Sequence, residues 1–335
     1  MLISYMRGRA LLKKLVTSNL TEKECERFVK YKTRLHPRWP GGDSALVYIA
    51  KRRGEYTDFA EKLIEAGADA SIADANGIAA LMHALVWGRD DIAKMLIKAG
   101  AYADCSNEDG ITALLYAAEH GMAEVAAMLV EAGADVNTVN RSGNSALVYA
   151  AEHGMADLAK ALVGAGADVN VVNSSGNSAL VYFAEHGMGD MAKMLVEAGA
   201  DVNIVNNSGN SALVYAAEHG MADLAKMLID AGADIDVVNN SGNSALVYFA
   251  GHGMADMAKM LIGAGADVNI VNNSGNSALL YAAEHGMADV AKMLVEAGAD
   301  VNIVNNSGKS ALSYAKGHGM ADVAKMLIGA GTGKE

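Results

Sequence analysis

The stretch NNSGNSALVYAAEHGMADLAKML, Asn206–Leu228, decides the fold, because almost the same words return from Asn239 and again from Asn272. Working outward, Gly77, Gly110, Gly143, Gly176, Gly209, Gly242, Gly275 and Gly308 hold a strict spacing of 33 residues. An earlier copy, GDSALVYIA, is followed by a connection two residues longer than its later equivalents. Nine units are therefore read, beginning near Asp43, Asp74, Asn107, Asn140, Asn173, Asn206, Asn239, Asn272 and Asn305. A fixed period of this size signals a stacked array. Stacking explains why core positions repeat, but not why the Asn, Ser, Glu and His expected on the surface repeat as faithfully.

Each unit reads as two helices and a loop. Ser145 is a helix N-cap, and the apolar ALVYAA that follows needs cover on both flanks. Gly154 breaks the chain. Met155, Leu158, Ala159, Leu162 and Val163 then form an amphipathic stripe at helical spacing, with Asp157 near the positive end and Lys160 on the wet side. Gly166 stops the second helix, and ADVNVVNSSGN is extended and turn-rich. Such a unit cannot hide its apolar faces alone, so its neighbours must, which gives a one-dimensional solenoid.

Composition agrees. The chain is 52% hydrophobic but only 5% aromatic, with 36 Gly, 19 Met and 2 Pro, a profile of small helices packed through Ala, Leu, Val and Met. No uncharged apolar run of about 18 residues suggests a membrane span. Cys25 and Cys105 lack metal-ligand spacing and form no disulfide framework, so a cytoplasmic chain is expected. Residues 1–40 hold ten Lys/Arg against three acids, a local +7 that leaves −19 of the net −12 to the remainder. Together with Pro37 and Pro40, this asymmetry places a boundary between a basic helical N-terminal cap or arm, residues 1–42, and the array, residues 43–335.

The repeat resembles the ankyrin repeat family, whose pattern D-x-x-G-x-T-P-L-H-x-A-A-x-x-G-H, a second helix and G-A-D-V-N is matched by NRSGNSALVYAAEHGM, Asn140–Met155, and GADVN, Gly166–Asn170. The resemblance covers about residues 43–331. It implies an all-α ankyrin-repeat solenoid, with a helix-turn-helix and a hairpin-like loop in each repeat, acting as a binding scaffold. In this chain T-P-L-H has become S-A-L-V. Ala146 replaces the helix-starting Pro, and Val148 replaces the His that braces neighbouring turns, which moves the expected load onto Ala, Leu and Met packing.

The resemblance places partner contacts at the hairpin tip and at the end of the first helix. The residues there are Asn207, Asn210, Asn240 and Asn243 at the tips, and Glu152–His153, Glu185–His186, Glu218–His219 and Glu284–His285 at the helix ends. Gly251 interrupts the row where a Glu is due before His252. Histidines one repeat apart sit about 8–10 Å apart, too far to share a metal ion, so they are read as hydrogen-bonding across the inter-repeat turn. The Tyr row (Tyr48, Tyr116, Tyr149, Tyr182, Tyr215, Tyr248, Tyr281, Tyr314) reads as half-buried packing and the Met row (Met122, Met155, Met188, Met221, Met254, Met287, Met320) as core filler.

No catalytic residue, metal or cofactor is expected, because every polar constellation recurs, whereas an active site needs one unusual desolvated cluster. The −19 of the array disfavours nucleic acid. Residues 1–20 read as a cap shielding the first repeat, with membrane contact the weaker reading; Thr21 and Glu24 form a capping-box pattern opening a second helix. In the last unit Lys309, Ser313 and Lys316 polarise the final face, while MADVAKMLIGAG stays apolar. The expected function is a non-enzymatic protein-interaction scaffold with a uniform surface, suited to a periodic partner or to another copy of the chain. Self-assembly into filaments or stacked oligomers is the alternative, and a recent duplication or consensus-like array without functional meaning is the third reading.

Overall fold

In the fourth repeat, Ser145 takes an extended backbone and its Oγ accepts the N–H of Val148 at 3.2 Å, satisfying a helix-start donor that would otherwise be orphaned. The helix that follows, Ala146–Glu152, buries Ala146, Leu147, Val148, Tyr149, Ala150 and Ala151, so its apolar surround is consumed on every side. It ends at His153. Gly154, at φ 66°, then reverses the chain, and the N–H of Met155 closes onto the carbonyl of Ala150 at 2.7 Å. The second helix, Ala156–Gly164, has no side-chain N-cap. Asp157 in its first turn complements the helix dipole instead.

That second helix buries Leu158, Ala159 and Leu162 and leaves the other two members of the expected stripe, Met155 and Val163, half-buried, while Lys160 and Asp157 meet on the wet side at 3.8 Å. Each such buried leucine contributes about 1.5–3 kcal/mol. The helix stops in a Schellman arrangement: Gly166 at φ 85° donates to the Val163 carbonyl at 3.0 Å, and Ala167 donates to the Leu162 carbonyl at 2.9 Å.

The computed structural model describes residues 45–52, 56–65 and 67–332. The basic cap expected over residues 1–42, with its Thr21–Glu24 pattern, lies outside the described residues. Contacts divide the chain into two compact units, residues 1–168 and 169–335. In the first, the described helices are α1 (Ala45–Ala50), α2 (Thr57–Glu65), α3 (Ala80–Val86), α4 (Asp90–Lys98), α5 (Ala113–Glu119), α6 (Ala123–Glu131), α7 (Ala146–Glu152) and α8 (Ala156–Gly164). In the second they are α9 (Ala179–Glu185), α10 (Gly189–Glu197), α11 (Ala212–Glu218), α12 (Ala222–Asp230), α13 (Ala245–Gly251), α14 (Ala255–Gly263), α15 (Ala278–Glu284), α16 (Ala288–Glu296), α17 (Ala311–Gly317) and α18 (Ala321–Thr332).

Odd-numbered helices through α15 are buried over most of their residues, and even-numbered ones bury a single stripe. Between pairs, single antiparallel bridges such as Val205 to Ser211 and Val271 to Ser277 pin the base of most hairpin loops, the loops between Val172 and Ser178 and between Val238 and Ser244 having none, and among the described residues no longer strand forms. In the last repeat Ser313 and Lys316 are exposed, as the polarised final face requires, and Ile328 on α18 is exposed as well.

Candidate functional site

In the second unit the hairpin tips are joined to one another. The backbone N–H groups of Asn207, Asn240, Asn273 and Asn306 donate to the carbonyls of Ser175, Ser208, Ser241 and Ser274 at 2.9–3.0 Å. Their side-chain amides donate as well, to the carbonyls of Ser174, Asn207, Asn240 and Asn273 at 3.1, 3.3, 2.9 and 3.0 Å. The tips lie so close that a Cβ on Gly209 would meet Asn239 Cα at 2.8 Å.

Behind the tips runs a second, more buried row. Asn206 Oδ1 accepts the N–H groups of Ser208 and Asn210 at 3.0 Å, an Asx turn that shapes the loop. Asn206 Nδ2 reaches back to Asn177 Oδ1 at 2.9 Å and forward to the Tyr215 hydroxyl at 3.3 Å. Asn272 and Asn305 repeat the backward bond to Asn243 and Asn276, both at 2.8 Å. At Asn239 the amide goes to Tyr248 alone, at 3.1 Å, and Asn210 Oδ1 is left buried without a hydrogen-bond partner. The polar brace lost with the family's His is thus rebuilt from Asn and Tyr, a device the expectation of pure Ala, Leu and Met packing missed.

Tyrosine hydroxyls are the nodes of this row. Tyr248 donates to Glu218 Oε1 of the preceding repeat at 3.3 Å. Burial pushes the Tyr149 and Tyr215 phenols above their ordinary pKa; hydrogen bonds from Asn144 and Asn140, or from Asn206 and Asn210, oppose the rise, and the carboxylates of Glu119 and Glu185 add to it. Tyr149 and Tyr215 are buried and the other tyrosines of the row half-buried, in line with the packing role expected. The row methionines are half-buried N-cap residues of the second helices, and the Met254 Sδ lies 3.3 Å from where a Cβ on Gly220 would stand.

At the ends of the first helices, Glu152, Glu185, Glu218 and Glu284 are half-buried, and His153, His186, His219 and His285 are exposed. His153 Nε2–H donates to the Glu119 carbonyl at 2.9 Å, across the turn between repeats, and His120 Nδ1–H donates to the Tyr116 carbonyl at 2.9 Å. Each ring also lies over a tyrosine one turn earlier, with centroids 6.3 Å apart for Tyr149–His153 and 6.5 Å for Tyr215–His219 and Tyr281–His285. Of the tip residues, Asn207 and Asn240 are exposed, Asn243 is half-buried, and Asn210 is only 9% exposed. Asn210 therefore faces its neighbouring repeat, not a partner, because its loop position points into the amide row.

The family description Ankyrin repeats (3 copies) matches residues 5–107, 46–140, 100–173, 147–239 and 246–335. The chain belongs to the ankyrin repeat family. An ankyrin repeat domain from Acinetobacter baumannii AYE is 32% identical over 55% of this chain and 97% of its own length, with a TM-score of 0.48. Among curated proteins no match is found.

The ankyrin array carries one feature its sequence concealed. Val172, Val205, Val238, Val271 and Val304 in the second unit are 39–54% exposed, each immediately before the Asx-turn asparagine, and Val139 holds the same place in the first unit. Valine reads as core by type, so only the loop geometry reveals the row; the position just before the tip Asn was the available signal. Ankyrin repeats are protein-interaction modules. Among the described residues no group of His, Cys, Asp and Glu is gathered as metal ligands, and no helix is long and apolar enough to cross a membrane.

Proposed function

We propose that the chain is a non-enzymatic scaffold that holds a protein partner along the hairpin side of its repeats, with the exposed valines as the apolar contacts. The exposed histidines with their half-buried Glu neighbours, and the Asn207 and Asn240 tips, supply the polar rim. The valine row carries this reading: among the described residues the Leu, Ile and Val side chains outside this row, Val86 and Ile328 apart, are buried or half-buried, while one valine per repeat of the second unit stands outside, in register. A partner with regular spacing along its own length fits such a surface.

The test is affinity capture with the full chain beside Val205→Ser/Val238→Ser/Val271→Ser/Val304→Ser, followed by quantitative mass spectrometry. Exposed substitutions of this kind change stability by about 0.5 kcal/mol or less each. A partner held by the wild type should fall at least tenfold with the variant, and equal capture by both chains overturns the reading.

A second reading, association of copies through the last repeat, is favoured by the 48% exposure of Ile328 on α18. It predicts a scattering mass that grows with concentration and returns to one chain in Ile328→Lys. A strictly monomeric chain at high concentration removes it.

A further inference from the structure

The glutamate row is broken twice in the second unit, at Gly251 and at Gly317, and Gly251 is the break followed by a tyrosine of the next repeat, Tyr281, which shows what is missing. Tyr248 accepts the amide N–H of Asn239 at 3.1 Å and donates its hydroxyl hydrogen bond to Glu218 Oε1 at 3.3 Å. One repeat on, Tyr281 accepts two amides, from Asn272 at 3.4 Å and Asn276 at 3.3 Å. Both lone pairs of its oxygen are engaged, so the hydroxyl must act as a donor. Its counterpart of Glu218 is Gly251, which has no side chain, and among the described residues no acceptor takes that proton.

Nothing in the fold demands glycine there. Gly251 is the last residue of helix α13 and is not among the residues with positive φ. A Cβ would meet only the Tyr281 ring, at an ordinary 3.9 Å. Glycine in a helix is the weakest choice after proline, so the position carries a local penalty without a local benefit. Its effect is to uncover the face of Tyr281 and vacate the place a carboxylate fills elsewhere, beside the exposed His252 and His285.

We propose that the gap at Gly251 is a binding site for one carboxylate, which accepts the Tyr281 hydroxyl proton as Glu218 accepts that of Tyr248. This deepens the scaffold reading and rests on it for its location: in the second unit Gly251 is the break in the glutamate row that faces a tyrosine of the following repeat, so it sets the register of an acidic side chain along the array. Val271 adjoins Asn272 in the chain, and Asn272 touches Tyr281, so the gap lies next to the valine row. The chemistry is shared by an Asp or Glu of a protein and by a free carboxylic acid.

The test titrates full-length protein with sodium acetate, against sodium chloride at matched ionic strength, following the His252 and His285 amide signals by NMR. Saturable shifts should appear in the wild type and in Gly251→Ala, which restores helix propensity without a carboxylate, and vanish in Gly251→Glu and Tyr281→Phe. The peptide acetyl-Val-Glu-Val-amide forms the second arm. Binding at least tenfold tighter than acetate assigns the site to a protein side chain, and equal binding assigns it to a free acid. No saturable shift in the wild type, or one that persists in Gly251→Glu or Tyr281→Phe, overturns the proposal. Neither outcome depends on the capture experiment, so the carboxylate site and the scaffold reading fail separately.

Discussion

The first unit braces its repeats with charges of varied kind, and the second chiefly with a neutral device at its hairpin tips, beside the ion pair of Lys193 and Asp223 at 3.8 Å. In the first, Asp74 gathers Lys51 and His83, each at 2.9 Å, Thr57 bonds Asp91, Lys94 pairs with Glu124, and Arg141 lies 3.8 Å from Asp109. The loop glycines Gly77 and Gly110 have open space where a Cβ would stand. In the second unit, Asn tips bond Asn and Ser tips, and the glycines are pressed against the next loop. A charged pair needs two different residues and tolerates drift from copy to copy. An amide that both donates to and accepts from its own counterpart works only if every copy is the same. The fidelity of the tip residues in the second unit therefore has an internal cause, which leaves the valines and the Glu–His ends as the repeated surface still calling for a partner.

The largest expected effect isolates that closeness. Gly110 and Gly209 share φ 77°, but only Gly209 has neighbouring backbone within 3 Å of a would-be Cβ. Gly110→Ala should cost about 1–2 kcal/mol from the left-handed backbone alone. Gly209→Ala should cost about 2–5 kcal/mol, because the next tip must also shift. Urea unfolding of the two variants checks this, and equal losses would mean the tips are not tightly engaged.

Acid sharpens the contrast next. Burial pushes the Asp74 carboxyl up, but hydrogen bonds from Lys51 and His83 and from the N–H groups of Ile78 and Asn76 outweigh it and hold the group well below the usual carboxylate range. A depressed folded pKa stabilises above the unfolded value, near 3.9, and that contribution fades as pH falls from there toward the folded value. Asp74→Asn should lower stability at pH 6 by about 1–3 kcal/mol and reduce the loss seen between pH 5 and 3. A pH slope identical to that of the wild type would show that Asp74 is not the acid-sensitive brace. The Asn–Asn bonds of the second unit have no such titration.

The smallest effect concerns single tips. Asn240→Ala removes one amide bond, to the Asn207 carbonyl, and should cost about 0.5–1.5 kcal/mol with faster hydrogen exchange at the Asn240 amide. Arg141→Ala, at an exposed ion pair in the first unit, should leave the urea midpoint unchanged within error. A larger loss from Arg141 than from Asn240 would reverse the comparison.

Much of the fold was legible before any coordinates. Ser145 as a cap, the Leu158–Ala159–Leu162 stripe and the stop at Gly166 depend on neighbours a few residues away, where spacing and residue type are sufficient. What stayed hidden depends on residues 29–33 positions away. That Asn210 is buried while Asn207 is exposed follows from where the next loop lands, and identical copies give no hint of it. Val205 is outside for the same reason: its Cβ leaves the hairpin on the side away from the core, although its type argues for the interior. The Asn–Tyr–Glu node needed three segments at once. Gly251 could be singled out in advance as an interruption, but its meaning required the hydroxyl of Tyr281.

Lys309 takes the place held by Asn243 and Asn276, whose Oδ1 atoms receive the amide of the following repeat. An ammonium cannot receive it. A further copy spliced between Asn206 and Leu294 would find its hydrogen-bonding counterparts waiting on both sides, whereas one appended behind the last loop would find donor facing donor. Whole periods can thus be added inside the Asn rows, where each new loop meets a counterpart on both sides.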